Sequence, residues 1–178
     1  GRCYLGENQY EQAIPYLLKW EAARENLVDD GSEKYRKRRS REGFIKSAIG
    51  MAYYKLKDYE QAAGYLEEGT KLEADQMARH SFMDLLSQVY YENGQYQKCA
   101  DACTAIIEEE PSYYPAYLRR QQVYFELQDG QNVVDDYYNA IRIFPAYYKP
   151  YLLAAKVFCI YRQYEDAKKV IEAAKEEG

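Results

Sequence analysis

Asp58-Tyr59-Glu60-Gln61-Ala62 has three counterparts in the chain, Gln9-Tyr10-Glu11-Gln12-Ala13, Gln95-Tyr96-Gln97-Lys98-Cys99 and Gln163-Tyr164-Glu165-Asp166-Ala167. A degenerate copy, Gly130-Gln131-Asn132-Val133, fills the interval between the last two. The closing small residues Ala62, Cys99, Val133 and Ala167 follow one another at 37, 34 and 34 residues. Such a period belongs to a helical-repeat array, in which each unit buries its apolar face only by stacking on the next.

Around each motif the apolar residues fall into two helical stripes separated by a turn. Ile49, Tyr53 and Leu56 precede Lys57-Asp58, and Ala62, Leu66 and Gly69 follow it. Leu86 and Tyr90 precede Asn93-Gly94, with Cys99, Cys103 and Ile106 beyond and Pro111 as the stop. Tyr117 and Tyr124 precede Asp129-Gly130, then Val133, Tyr137 and Ala140 lead to Pro145. The last unit sets Tyr151 and Phe158 before Ala167, Ile171 and Ala174. Asp58 with Gln61, and Asn8 with Glu11, have the form of capping boxes that start the second helices. The small residue lets two antiparallel helices approach, and the tyrosine three positions earlier is expected to staple the turn onto the following helix.

Composition fits an array that packs with amphipathic rings. The apolar fraction is 47%, yet 22 residues are tyrosine and the mean hydropathy is −0.71. Those rings must bury a body while keeping the hydroxyl wet or bonded. No apolar run is long enough for a membrane helix, so no membrane insertion is expected, and the chain reads as soluble and cytoplasmic. A net charge of −5, with 24 basic against 29 acidic residues, argues against a general nucleic-acid footprint.

These landmarks together resemble the tetratricopeptide repeat. The resemblance covers the chain apart from one insertion. It rests on the small residue of the second helix, the tyrosine before it, the terminal proline and Gly50 at the signature glycine of the first helix. Ser87, Gln121 and Ala155 replace that glycine elsewhere, and Arg120 stands at a place usually apolar, departures expected to loosen packing locally. The resemblance implies an all-α, right-handed α-solenoid of stacked antiparallel hairpins, one partial and four complete. A single domain spanning 1–178 follows, with units at about 1–27, 33–75, 76–112, 114–146 and 148–178. It also implies a binding scaffold that is not an enzyme and has no cofactor. By register Gly1 falls inside a first helix and Gly178 just before an expected proline. Both ends therefore read as cuts, and self-association through them is an expectation.

The insertion, about 28–42, comprises a turn at Val28-Asp29-Asp30-Gly31-Ser32 and a basic run containing Lys34, Arg36, Lys37, Arg38, Arg39 and Arg41. Two lengthened helices meeting at Gly31 would accommodate it. The run is either a patch for an acidic partner, RNA or a nuclear-import receptor, or a solvated face paired with acids such as Glu21 and Glu25.

Chemistry-bearing constellations are sparse. The single histidine, His80, allows no imidazole pair for a metal, and no nucleophile motif adjoins it. Adjacent carboxylates such as Glu108-Glu109-Glu110 diverge around a helix and do not converge on a substrate. Cys99 and Cys103 hold core positions, two thiolates being a poor zinc set, and Cys159 faces the groove.

The groove is sketched by first-helix residues that turn away from the core. They are Ser47, Met51, Tyr54 and Lys55, then Asp84, Gln88, Tyr91 and Glu92, then Leu118, Gln122, Phe125 and Glu126, then Leu152, Lys156, Cys159 and Ile160. Tyr54, Tyr91 and Phe125 recur as an aromatic row that either anchors a peptide or packs on the neighbouring repeat. Arg119, Lys149 and Lys156 add positive charge and favour an acidic guest. Among family members, co-chaperones clamp a carboxylate tail with lysines and asparagines. Here Ser47, Met51, Leu85 and Pro115 occupy those places and only Arg119 matches, so that clamp is absent. The leading expectation is a protein or peptide-binding scaffold. The alternatives are a regulatory or J-domain-associated co-chaperone arm of a larger protein, and an RNA-binding helical repeat.

Overall fold

In the computed structural model, residues 9–22, 31–73 and 75–177 are described. Among them there are nine helices and no strand. In chain order these are α1 (Tyr10–Ala22), α2 (Glu33–Lys55), α3 (Tyr59–Leu72), α4 (Gln76–Glu92), α5 (Tyr96–Glu109), α6 (Tyr114–Glu126), α7 (Gly130–Ile143), α8 (Tyr148–Ile160) and α9 (Tyr164–Glu177). The chain divides into two compact units, Gly1–Gly94 with α1–α4 and Gln95–Gly178 with α5–α9.

The hairpin turns explain the motif at the level of single bonds. Lys57, Gly94, Gln128 and Arg162 all adopt a left-handed φ, from 59° to 68°, and stand at the same 37, 34 and 34 spacing as the small residues. Beside three of them the chain closes a Schellman turn, with the amides of Asp58, Asp129 and Gln163 donating to the carbonyls of Tyr53, Tyr124 and Phe158. Asp58 then caps the next helix by accepting from the Gln61 amide (3.2 Å), and Asp129 does the same for Asn132 (3.3 Å). One residue thus ends a helix and begins its partner. The Asn8–Glu11 cap lies outside the described residues.

In the first unit α2 packs on both α1 and α3, and α4 on α3. Ala13, Ile49, Ala62 and Leu66 are fully buried. Contact between α2 and α3 is backbone-close. A Cβ on Gly50 would stand 2.7 Å from Leu66 Cγ and 3.0 Å from the Ala62 carbonyl oxygen, and one on Gly43 would stand 2.7 Å from the Glu73 amide nitrogen. The stripe pattern holds except at its edges: Tyr53 stacks on Tyr65 (5.7 Å, 17°), whereas Leu56, at the helix C-cap, is exposed. Polar ties cross the layers. Lys46 on α2 donates to Glu21 on α1 (2.5 Å) and Glu68 on α3 (2.8 Å), and the Tyr90 hydroxyl on α4 donates to Glu67 on α3 (2.6 Å). Burial alone would depress the Lys46 ammonium, but the two carboxylates outweigh it and hold the group above its ordinary value.

In the second unit α6 packs against α5, α7 and α8, and α8 against α7 and α9. Cys99, Cys103, Val133 and Ala167 are buried as expected, while Ile171 is exposed and Val170 takes the core position. The Tyr59 ring lies 6.1 Å from that of Tyr54 on the preceding helix, and Tyr164 is exposed. Arg120 and Gln121 do the opposite of loosening. Arg120 bonds Asp136 of α7 in two places (2.9 and 2.7 Å) and the Thr104 hydroxyl of α5 (2.8 Å). The fully buried Gln121 amide donates to the carbonyls of Val133 (3.1 Å) and Pro150 (3.0 Å). The missing glycine is thereby replaced by a polar latch from α6 to α7 and α8. Tyr117 and Tyr151 each donate a hydroxyl bond to the proline carbonyl six residues earlier, Pro111 (3.1 Å) and Pro145 (2.9 Å), which fixes both inter-hairpin loops.

The insertion lengthens α2 to 23 residues, against 13 for α6 and α8. Gly31 is left-handed (φ 69°), and Ser32 caps the helix by accepting from the Tyr35 amide (3.0 Å). Residues 23–30, where the other lengthened helix was expected, lie outside the described residues.

Candidate functional site

A concavity of the second unit forms where α8 follows the Pro145 loop. Tyr148, Leu152, Ala155 and Cys159 recur along one face of α8, and Ile171, Ala174 and Lys175 along one face of α9. With Phe125 from α6 these line a cleft of about 730 Å³ whose walls are almost wholly apolar. Lys156 and Lys175 supply its charge. Both ammoniums are exposed, and neither forms an ion pair among the described residues. Tyr151, at the floor, has its hydroxyl pKa raised by burial and, secondarily, by the Glu177 carboxylate. A cleft with apolar walls and lysines at the edge is suited to holding an apolar side-chain row with neighbouring negative charge.

The structure brings together part of the sequence-derived groove. Phe125, Leu152, Lys156, Cys159 and Ile160 all line the cleft. Arg119 and Gln122, on α6, are half-buried and lie outside its lining. Lys149 is turned to its own helix start, its ammonium 5.8 Å from the Tyr147 ring. In the first unit Met51 and Tyr54 on α2, and Asp84, Gln88 and Tyr91 on α4, are half-buried. Tyr54 is engaged by its own unit, near the Tyr59 ring and 5.6 Å from the Lys55 ammonium. Sequence reasoning missed Tyr148, Ile171 and Lys175. The signal available for Ile171 was its assignment to the core stripe, which pointed the wrong way.

A second cavity, about 720 Å³, lies in the first unit between α1, α2 and the α3–α4 connection. Tyr16, Trp20 and Phe44 give it aromatic walls, and the buried Glu73 carboxylate accepts from the Ser40 hydroxyl and the Asp75 amide. Of the basic run, Lys34, Arg36, Lys37, Arg38, Arg39 and Arg41 are all exposed. Lys34, Lys37, Arg38 and Arg41 share about 100° of helix circumference. Lys37 pairs with Glu33 (2.7 Å), and Glu21, one of the acids expected to neutralise the run, is committed to Lys46 instead. Glu25 lies outside the described residues.

Among the described residues no group of three His, Cys, Asp or Glu side chains is placed to hold a metal, and no helix is long and apolar enough to cross a membrane. Cys99 and Cys103 are buried, and Cys159 is exposed.

Hairpins with a 34-residue period, a shared turn geometry and small residues at the crossings define an all-α helical-repeat solenoid. Residues 46–76, covering the lower part of α2 and all of α3, match the tetratricopeptide repeat family. Solved structures share this fold. MamA from Desulfovibrio magneticus RS-1, from position 41 to its end, superposes with a TM-score of 0.76 at 16% identity, covering 99% of this chain and 89% of that one. YrrB, described as a TPR protein with an unusual peptide-binding site, gives 0.75 at 12% identity, covering 99% and 81%. The Arabidopsis OM64 TPR domain gives 0.58 at 19%, covering 67% of this chain and 96% of its own. At these identities the likeness is one of fold. No curated protein sequence matches the chain significantly.

Proposed function

We propose that the protein is a non-catalytic scaffold that binds a protein or peptide guest, with the α6–α8–α9 cleft as its principal contact. The observation that carries this reading is the cleft itself. It is a large concavity with apolar walls, edged by two exposed lysines that form no ion pair among the described residues. Support also comes from the fold, since a structural neighbour of the same repeat type is described as having a peptide-binding site.

Selection from a random peptide library on the immobilised chain tests it. Enriched peptides should lose most of their binding to Phe125→Ala and to Leu152→Ala while both variants keep wild-type helicity. Enriched peptides that bind wild type and both variants equally would move the contact away from this cleft.

A further inference from the structure

Residues 33–42 extend α2 without adding to the core. None of them is buried, and the buried face of the helix starts only at Gly43. Six of them, Lys34, Arg36, Lys37, Arg38, Arg39 and Arg41, are exposed cations, and among the described residues Lys37 alone of the six is paired, with Glu33 (2.7 Å). Residues 23–30, which lead into the extension, hold three acids, Glu25, Asp29 and Asp30. Pairing with all three would still leave two of the six cations over. Lys34, Lys37, Arg38 and Arg41 share one side of the helix, and Arg36 and Arg39 lie on the other. A rigid acidic face would meet one side only, whereas a flexible polyanion can follow both.

At the root of the extension lies the first unit's cavity of about 720 Å³. Tyr16, Trp20 and Phe44 line it, and Phe44 is held in place by the Phe82 ring of α4 (5.8 Å, edge-on). Arg41 lines it too and forms no ion pair among the described residues. Glu73, also in the lining, is 7% exposed. Its bonds from the Ser40 hydroxyl and the Asp75 amide both fall on Oε1, so Oε2 has no partner among the described residues. A guest that fits offers a flat body to the rings, a donor to Glu73 and negative charge to Arg41 and the run. A cationic side chain would meet the run's positive charge, and an acidic one would meet Glu73. A nucleotide meets all three demands: the base stacks, its amino group donates to the carboxylate, and the phosphates reach the cations. We propose that the first unit binds single-stranded nucleic acid, with one base seated in this cavity and the adjoining phosphates on the extension of α2. The net charge of −5 does not oppose such binding, because at 0.1 M salt acids more than about 10 Å from the run are largely screened from its guest.

Trp20 is the single tryptophan of the chain, so its emission reports on the cavity. The full chain is titrated with single strands of about 12 nucleotides and mixed sequence, in RNA and in DNA form, followed by anisotropy of a fluorescein label and, with unlabelled strands, by Trp20 emission. A duplex of the same sequence and a polyglutamate of similar length are the comparators. Saturable binding of at least one single strand is expected, the tighter of the two naming the source. Its affinity should fall with salt at a log–log slope of about −3, as for about four phosphates on a single strand. Trp20 emission should drop as the base stacks. Arg36→Gln with Arg38→Gln and Arg39→Gln, at exposed positions outside the core, should weaken binding by at least about tenfold and flatten the salt slope. Tyr16→Ala, at an exposed ring, should weaken it by about fivefold or more at unchanged helicity.

No saturable binding of either single strand up to about 100 μM at about 50 mM salt, or binding that the triple variant leaves unchanged, overturns the proposal. Polyglutamate that binds as tightly would make the guest an acidic protein segment and overturns it too. A duplex that binds as tightly, or binding with Trp20 emission unmoved and Tyr16→Ala without effect, removes the seated base and with it the site.

Discussion

Arg120 shows how a residue that departs from the repeat pattern becomes structural. Its guanidinium joins α5, α6 and α7 through Thr104 and Asp136, and lies over the rings of Tyr117 (5.7 Å) and Tyr124 (5.9 Å). Burial raises the Asp136 carboxyl above its ordinary value while Arg120 pulls it back. Removing the cation alone strands a buried acid, so Arg120→Ala is expected to cost about 3–5 kcal/mol in urea unfolding. The double variant Arg120→Met with Asp136→Leu should recover most of that loss. If the single and double variants unfold alike, the pair has no such role. The turn residues behave differently. Gln128 and Arg162 carry side chains at a left-handed φ, so Gln128→Gly should stabilise the chain by about 0.5–1 kcal/mol, while Gly94→Ala at φ 68° should destabilise it. Opposite signs would mean that these turns are not as described.

At the scale of helices, the crossings were the most legible feature of the sequence, because a small residue at fixed period reports directly on axis separation. Ala62, Cys99, Val133 and Ala167 are all buried at those crossings. Ala62→Arg is expected to force α2 and α3 apart and cost about 3–5 kcal/mol by overpacking and a buried charge. An unchanged melting temperature would sink the register. What sequence reasoning could not see was compensation. Gln121 stands where a glycine was expected, and its amide makes bonds whose acceptors, Val133 and Pro150, lie 12 and 29 residues away. Nor does periodicity distinguish a stripe position covered by another helix from one left open. Ile171 therefore read as core although it lines the cleft. The groove was half legible: Phe125, Leu152 and Lys156 meet, whereas Lys149 turns to Tyr147.

For the whole molecule, the tyrosine-rich core carries a pH signature. Tyr137 is pushed up to about 12, first by burial and then by its tyrosine neighbours. Tyr65, Tyr90, Tyr124 and Tyr151 are raised as well, each first by burial. A folded-state pKa above the unfolded value of 10 means that the unfolded chain loses its phenolic protons first. Stability contributed by these groups is complete below pH 10 and is lost as pH rises towards 12. Urea midpoints should be level through neutral pH and fall steeply over that window, with Tyr137→Phe flattening the fall. A flat profile to pH 12 would show that the rings are not buried in both units as described.

Whether a guest occupies the face of α8 and α9 is read by methyl NMR of the full chain titrated with a peptide enriched from the random library. Saturable shifts are expected at the methyls of Leu152, Ile160, Ile171 and Ala174, with Ile49 and Leu66 unmoved. Shifts absent from α8 and α9, or centred on the first unit, would contradict it.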